Sequence, residues 1–207
     1  QLVIAGKALD AQAATMLVRP DALIRTHPQG ITETLRLFDG QDVVEVEVGG
    51  AKGDVTLQLA GETVVHVRSG QGVDEYAATQ EGAASAVDHI VVGRRGNRFL
   101  IAVGSSREAA RTHYDQAVAA APAWQEARSA RLTAVISGDH YFWSDDLRLT
   151  QALRWLQLTT DSLVTRQRGD GIYAGLPWFN EYWGRDSFIP GSIDYHTTDG
   201  TPRWVIA

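Results

Sequence analysis

The chain has no cysteine and a single methionine, Met16. Disulfide frameworks and thiolate metal sites are therefore excluded, and cysteine usage leaves the redox compartment undetermined. Long apolar runs are missing too. Stretches such as "HIVVG" and "FLIAVG" fall far short of the roughly 18 residues of a membrane helix. Positive charge is scarce: 19 Lys and Arg against 25 Asp and Glu leave a formal charge of -6, so neither nucleic acid nor an anionic membrane is the expected partner. The six histidines (His27, His66, His89, His113, His140, His196) are scattered with no H-x-x-x-H pair, and no zinc site is expected. No serine occupies a G-x-S-x-G elbow. "GDGIYAG" lacks the context of a nucleotide-binding loop and reads as a turn, and "GRRGN" is too short for a nucleic-acid patch. We expect no cofactor, no metal and an uncharged partner.

What is present is an ordinary globular composition, 44% hydrophobic and 21% charged over 207 residues, enough for one sizeable domain or two small ones. Gln1 is not a start residue and "RWVIA" ends on apolar side chains; we expect an internal fragment of a cytoplasmic protein whose natural start is missing. Residues 1–104 alternate with the strand period. In "VVEVEV" Val44, Val46 and Val48 share a face opposite Glu45 and Glu47, predicting one buried and one wet side. Similar runs ("QLVIA", "TMLVR", "ITETLRLF", "DVTLQLA", "ETVVHVR", "DHIVVG", "RFLIAVG") separated by glycine-rich turns predict eight or nine strands in an antiparallel β-sandwich. Ser69–Ala86 is read as a long functional or mobile loop, or as a helix.

Residues 105–138 change to helical periodicity. Ser105 with Glu108 forms an S-x-x-E box, and Pro122 is placed to open a second helix, so two linker helices are expected. Arg128 and Arg131 are read as a solvated face. In 139–207 a further helix starts near Ser144, with Asp145 and Asp146 at its positive end. Leu149, Leu153, Leu156, Leu163 and Val164, widened by Trp155 and Leu158, predict a helix buried on more than one side. Gly169 and Gly171 suit its C-cap and a turn.

Ten aromatic residues lie between Tyr141 and Phe188, five of them in "GLPWFNEYWGRDSF", residues 175–188. Pro177 and Gly184 rule out a single helical stripe. A pyranose offers an apolar C–H face and a belt of hydroxyls; an indole takes the face, while guanidinium and carboxylate take hydroxyl pairs. Trp183, Arg185 and Asp186 supply these groups side by side. The alternatives are aromatic packing and a structural ion pair, and spacing alone does not decide.

The run "GIYAGLPWFNEYWGRDSFI" resembles the motif opening the catalytic domain of the amylo-α-1,6-glucosidase family of glycogen debranching enzymes, related to glucoamylases and other (α/α)6-toroid glycosidases. Gly175, Pro177, Trp178, Phe179, Trp183, Gly184, Arg185, Asp186, Ser187, Phe188 and Ile189 match it. The family pattern continues differently after Phe188: two residues are missing before Pro190, and "GSIDYHTTDGTPRWVIA" has no helical period. The resemblance implies a β-sandwich followed by helices that begin a truncated (α/α)6 toroid.

Glycoside hydrolysis needs two carboxyls, about 6.5 to 9.5 Å apart in inverting enzymes, one of them protonated as the acid. Arg185 beside Asp186 would depress the acid's pKa, which suits a hydroxyl acceptor better than a general acid. The resemblance likewise implies that the Arg–Asp pair holds the sugar and that acid and base lie beyond Ala207, leaving this chain inactive. Glu181 is read as a solvated loop acid. The expected sugar-binding residues are Trp183, Arg185, Asp186, Trp178, Phe179 and Tyr182. The expected function is an inverting, debranching-type α-glucosidase acting on α-1,6-linked glucose. The alternatives are another toroid glycosidase (glucoamylase, trehalase or mannosidase type) and a non-catalytic glycan-binding module.

Overall fold

The computed structural model describes residues 2–59, 63–80, 83–138, 144–165 and 171–175. Its strands are β1 (Leu2–Ile4), β2 (Lys7–Ala8), β3 (Thr15–Val18), β4 (Leu23–Thr26), β5 (Thr32–Leu37), β6 (Val43–Gly49), β7 (Val55–Leu57), β8 (Val64–Gly70), β9 (Val73–Gln80), β10 (Ala83–Arg95) and β11 (Arg98–Gly104). Helices α1 (Arg107–Ser137) and α2 (Leu147–Leu163) follow, then the short strands β12 (Val164–Thr165) and β13 (Gly171–Ile172). The chain divides into two compact units, Gln1–Ala130 and Arg131–Ala207.

In the first unit, eight strands form one antiparallel sheet in the order β3-β4-β5-β6-β11-β10-β9-β8, and β2-β1-β7 form a second of three strands. The small sheet covers one face of the large one. Leu2, Ile4 and Val55 close a core there with Ile31, Val46, Val48 and Phe99. The opposite face is covered by α1, whose Ala110, Tyr114, Ala117 and Ala121 recur at helical spacing and pack with Phe38, Val43, Val73, Val91, Leu100 and Ala102. Trp124 adds a tilted ring contact with Phe38, centroids 5.6 Å apart. The expected β-rich domain followed by helices is thus present, with helix rather than water against the second face.

That second cover corrects the reading of β6. Glu45 is only 2% exposed, because its face lies on the α1 side with Val43. Burial of the carboxylate is offset by Arg36, whose Nη1 donates to Glu45 Oε1 at 2.9 Å and to Glu47 Oε2 at 2.8 Å. Arg98 adds a second positive charge, 3.7 Å from Glu45 Oε2.

The segment read as a loop or helix at 69–86 is strand on both sides of a two-residue hairpin turn. Gly70 pairs with Val73 across Gln71 and Gly72, both with positive φ (53° and 75°), the geometry of a type I′ turn. Gln-Gly is a weaker signal for that turn than Asn-Gly, and the alanines of β9 and β10 hide the strand period. Strands β2, β4 and β9 were not expected and bring the described strands before α1 to eleven.

The helical region differs as well. One helix, α1, runs through Pro122 where two were expected. Its cap is Ser106, one residue later than read: Ala109 N–H donates to Ser106 Oγ at 3.1 Å, and Ala110 N–H to the Ser106 carbonyl at 3.0 Å. Arg128 is paired with Asp39, so it is not simply a solvated cation. In the second unit Arg131 donates to both oxygens of Asp161, at 2.7 and 2.5 Å.

Candidate functional site

The approach to the aromatic, acidic segment is built from α2 outward. Asp146, expected at the positive end of a helix starting near Ser144, is the N-cap itself, its side chain accepting from the N–H groups of Arg148 and Leu149 at 2.8 and 3.3 Å. Thr150 is buried and clasps the entering chain: the Ser144 N–H donates to its Oγ1, and that hydroxyl donates to the Ser144 carbonyl, both at 2.9 Å. The C-cap is Val164 in extended conformation, a correction to the expected glycine cap. The backbone passes straight into β12, which pairs with β13 through Val164–Ile172 and Thr165–Gly171. Tyr173 N–H donates to the Leu163 carbonyl at 3.0 Å. Gly171 and Ile172 are buried, so part of "GDGIYAG" is strand rather than turn alone.

The leucine stripe of α2 is the second correction here. Leu149 is 49% and Leu156 62% exposed, Trp155 and Val164 are exposed too, and the buried positions of the helix are Thr150 and Leu158. Helical spacing of apolar residues specifies a face, not what covers it.

The last described residue is Gly175. Trp178, Phe179, Tyr182, Trp183, Arg185 and Asp186, together with Glu181, lie outside the described residues.

Elsewhere among the described residues, three polar clusters show what the remaining side chains do. A cleft of about 590 Å³ opens between the two sheets, lined by Leu9, Asp10, Arg25, Glu33, Leu57 and Ile101 among others, none aromatic. Glu33 on its wall is buried, and its Oε1 lies 2.7 Å from His27 Nε2 while Oε2 lies 3.5 Å from Arg25. This acid is tied to two bases across the β4–β5 hairpin, and no aromatic ring offers a sugar a platform. The His27–Glu33 pair was missed in the sequence; the turn residues "HPQG" between two alternating runs are the signal that brings them together.

The second cluster is Ser69, His66 and Asp74. Ser69 Oγ lies 2.5 Å from Asp74 Oδ1 and 3.1 Å from His66 Nε2; Ser69 and His66 are exposed and Asp74 is half-buried. The carboxylate can only accept, so the serine proton is spent on it, an arrangement that does not activate a nucleophile. The third is Arg36 with Glu45 and Glu47. The hydrogen bond from Arg36 holds the Glu47 carboxyl below its ordinary value, against the opposing effect of burial. Burial works against the Arg36 charge, yet the bonds to Glu47 and Glu45 keep its pKa raised. No group of three or more His, Cys, Asp or Glu among the described residues is arranged to hold a metal ion. Among those residues, no helix is long and apolar enough to cross a membrane.

The described structure is therefore that of a two-sheet β unit followed by helices that lead into an aromatic, acidic segment. Residues 152–193, from α2 through that segment, match the family described as amylo-alpha-1,6-glucosidase, in agreement with the resemblance carried by "GIYAGLPWFNEYWGRDSFI". The match covers roughly a fifth of the chain. The chain has no significant match among curated proteins or solved structures.

Proposed function

We propose that residues 175–189 form the sugar-holding part of an inverting, debranching-type α-glucosidase acting on α-1,6-linked glucose in glycogen-like glucans or oligosaccharides. The observation that carries this reading is the glucosidase match over 152–193, which takes in Trp178, Phe179, Tyr182, Trp183, Arg185 and Asp186. In this reading Trp183 supplies the flat apolar face, with Trp178, Phe179 and Tyr182 beside it. Arg185 and Asp186 take hydroxyls of the same ring through charge-assisted hydrogen bonds. Asp186 acts as an acceptor, since the neighbouring guanidinium opposes the raised pKa that a general acid requires.

Calorimetric titration of the chain with panose, maltose, trehalose and mannobiose tests this. Panose is expected to bind best. Asp186→Asn should weaken it by about tenfold or more, the scale of one charge-assisted hydrogen bond, and Trp183→Ala comparably. Equal binding of all four sugars, or variants that bind panose as the parent does, would remove the segment from sugar recognition. For the reaction, which in this reading needs the longer enzyme that supplies acid and base, β-anomer released first from panose by that enzyme, followed by NMR, checks the inverting course.

A further inference from the structure

The two edges of the eight-stranded sheet are built differently. The β8 edge carries Val65 and Val67 exposed, but a register shift between His66 and Arg68 bends it. Its Arg68 also holds a bidentate bond to Glu75, at 3.0 and 2.8 Å. Bulges and charges are the usual devices that keep an edge from pairing. The β3 edge has neither. Its register with β4 is unbroken from Thr15–Thr26 to Val18–Leu23, and Met16, Leu17 and Val18 are 66, 58 and 60% exposed in succession.

The hydrogen-bond parity of β3 shows which backbone groups face outward. Arg19 and Ala22 exchange both N–H to C=O bonds. Alternation along an antiparallel pair then turns Leu17 and Thr15 toward β4, leaving the N–H and C=O of Met16 and Val18 on the outer side. No strand pairs with that side among the described residues.

We propose that this edge pairs antiparallel with β3 of a second copy of the chain about a two-fold axis at Leu17, making one continuous sheet across both copies. The strand is complementary to itself in that register. Met16 faces Val18 of the other copy and Val18 faces Met16, so the outward N–H and C=O groups of both residues are satisfied at once. The cross-strand pairs are Met–Val on one face and Leu–Leu on the other, all apolar. The next pair outward sets Arg19 against Thr15, with no like charges opposed, and Pro20, which has no N–H, ends the ladder. Such an isologous contact closes on itself and does not propagate into fibres. A strand this short makes a small interface, which places the dimer among weak, reversible associations.

Sedimentation equilibrium on the purified chain, from about 1 to several hundred μM, the range in which weak pairs populate, should show a monomer–dimer equilibrium. Leu17→Lys should weaken it by about tenfold or more, because two lysines then face each other. Val65→Lys on the opposite edge should leave it unchanged. Because the chain contains no cysteine, Leu17→Cys provides a test of register. Residues in a non-hydrogen-bonded pair have Cα atoms about 4.5 Å apart, within disulfide reach. Mild oxidation should therefore cross-link Leu17→Cys readily and Thr15→Cys poorly, with circular dichroism confirming that each variant is folded. A chain that stays monomeric throughout would overturn the proposal. So would a dimer that survives Leu17→Lys but dissociates with Val65→Lys, or cross-linking equally fast at positions 15 and 17.

Discussion

A Cβ at position 93 would run into the ring and hydroxyl of Tyr114, which crosses β10 directly over Gly93. The constraint is one of space, since Gly93 has no positive φ. Gly93→Ala should therefore act as an overpacking change and cost about 1–3 kcal/mol, read from urea unfolding. Combined with Tyr114→Ala, the cost of Gly93→Ala should largely vanish, a coupling that a double-mutant cycle measures directly. Glu47 makes a prediction in pH. Its folded pKa lies below the ordinary value of 4.5, so its contribution is fully present above that value and is lost as pH falls through the lower folded one. Glu47→Gln should be less stable at neutral pH and should lose less stability than the parent on acidification, with the two urea curves converging as pH falls below 4.5. Glu45 shows why such positions escape a reading from sequence. Alternation assigned it correctly to the face opposite Val44 and Val46, but only the distant α1 and the cross-strand Arg36 determine that this face is dry.

At the scale of elements, strand positions were read well where β-branched residues alternate, as in β6 and β11, and poorly where alanines carry the strand, as in β9. Helix α1 shows the converse limit. Proline removes the N–H that would bond the Val118 carbonyl and disfavours a helix interior, but Pro122 and Val118 are exposed, so water can serve that carbonyl. Ala121 and Trp124, packed in the core on either side, hold the helix through the break. Pro122→Ala should restore the missing bond and raise stability by about 1 kcal/mol or more, since proline costs up to about 3 kcal/mol in a helix interior; a drop in the unfolding midpoint would show that the proline is accommodated without penalty. The cap of α2 gives the opposite sign. Asp146→Ala leaves the Arg148 and Leu149 N–H groups without their side-chain acceptor and should cost about 1 kcal/mol, with loss of helical signal at 222 nm as the readout.

For the molecule as a whole, the large sheet needs both of its covers. The sequence made the β-rich part and the following helices legible, because periods of two and 3.6 are local. It did not show that α1 belongs to the β unit, because that depends on contacts between Tyr114 or Ala117 and strands far away in the chain. The proposed sugar site rests on other grounds: the cluster of aromatic and charged residues leaves packing and a structural ion pair open, and the glucosidase match over 152–193 is what favours sugar. The dependence on α1 can be measured. Phe38, Val43, Val73, Val91 and Leu100 are each 6% exposed or less beneath it, and each large apolar side chain contributes about 1.5–3 kcal/mol on burial. Their sum is comparable with the entire stability of a domain, about 5–15 kcal/mol. A chain ending at Ala130, the boundary of the first unit, should therefore unfold in one cooperative urea transition. One ending at Gly104 should bind a hydrophobic dye such as ANS and show no cooperative transition. If the shorter chain unfolds as sharply as the longer one, α1 is not the second wall of the sheet's core.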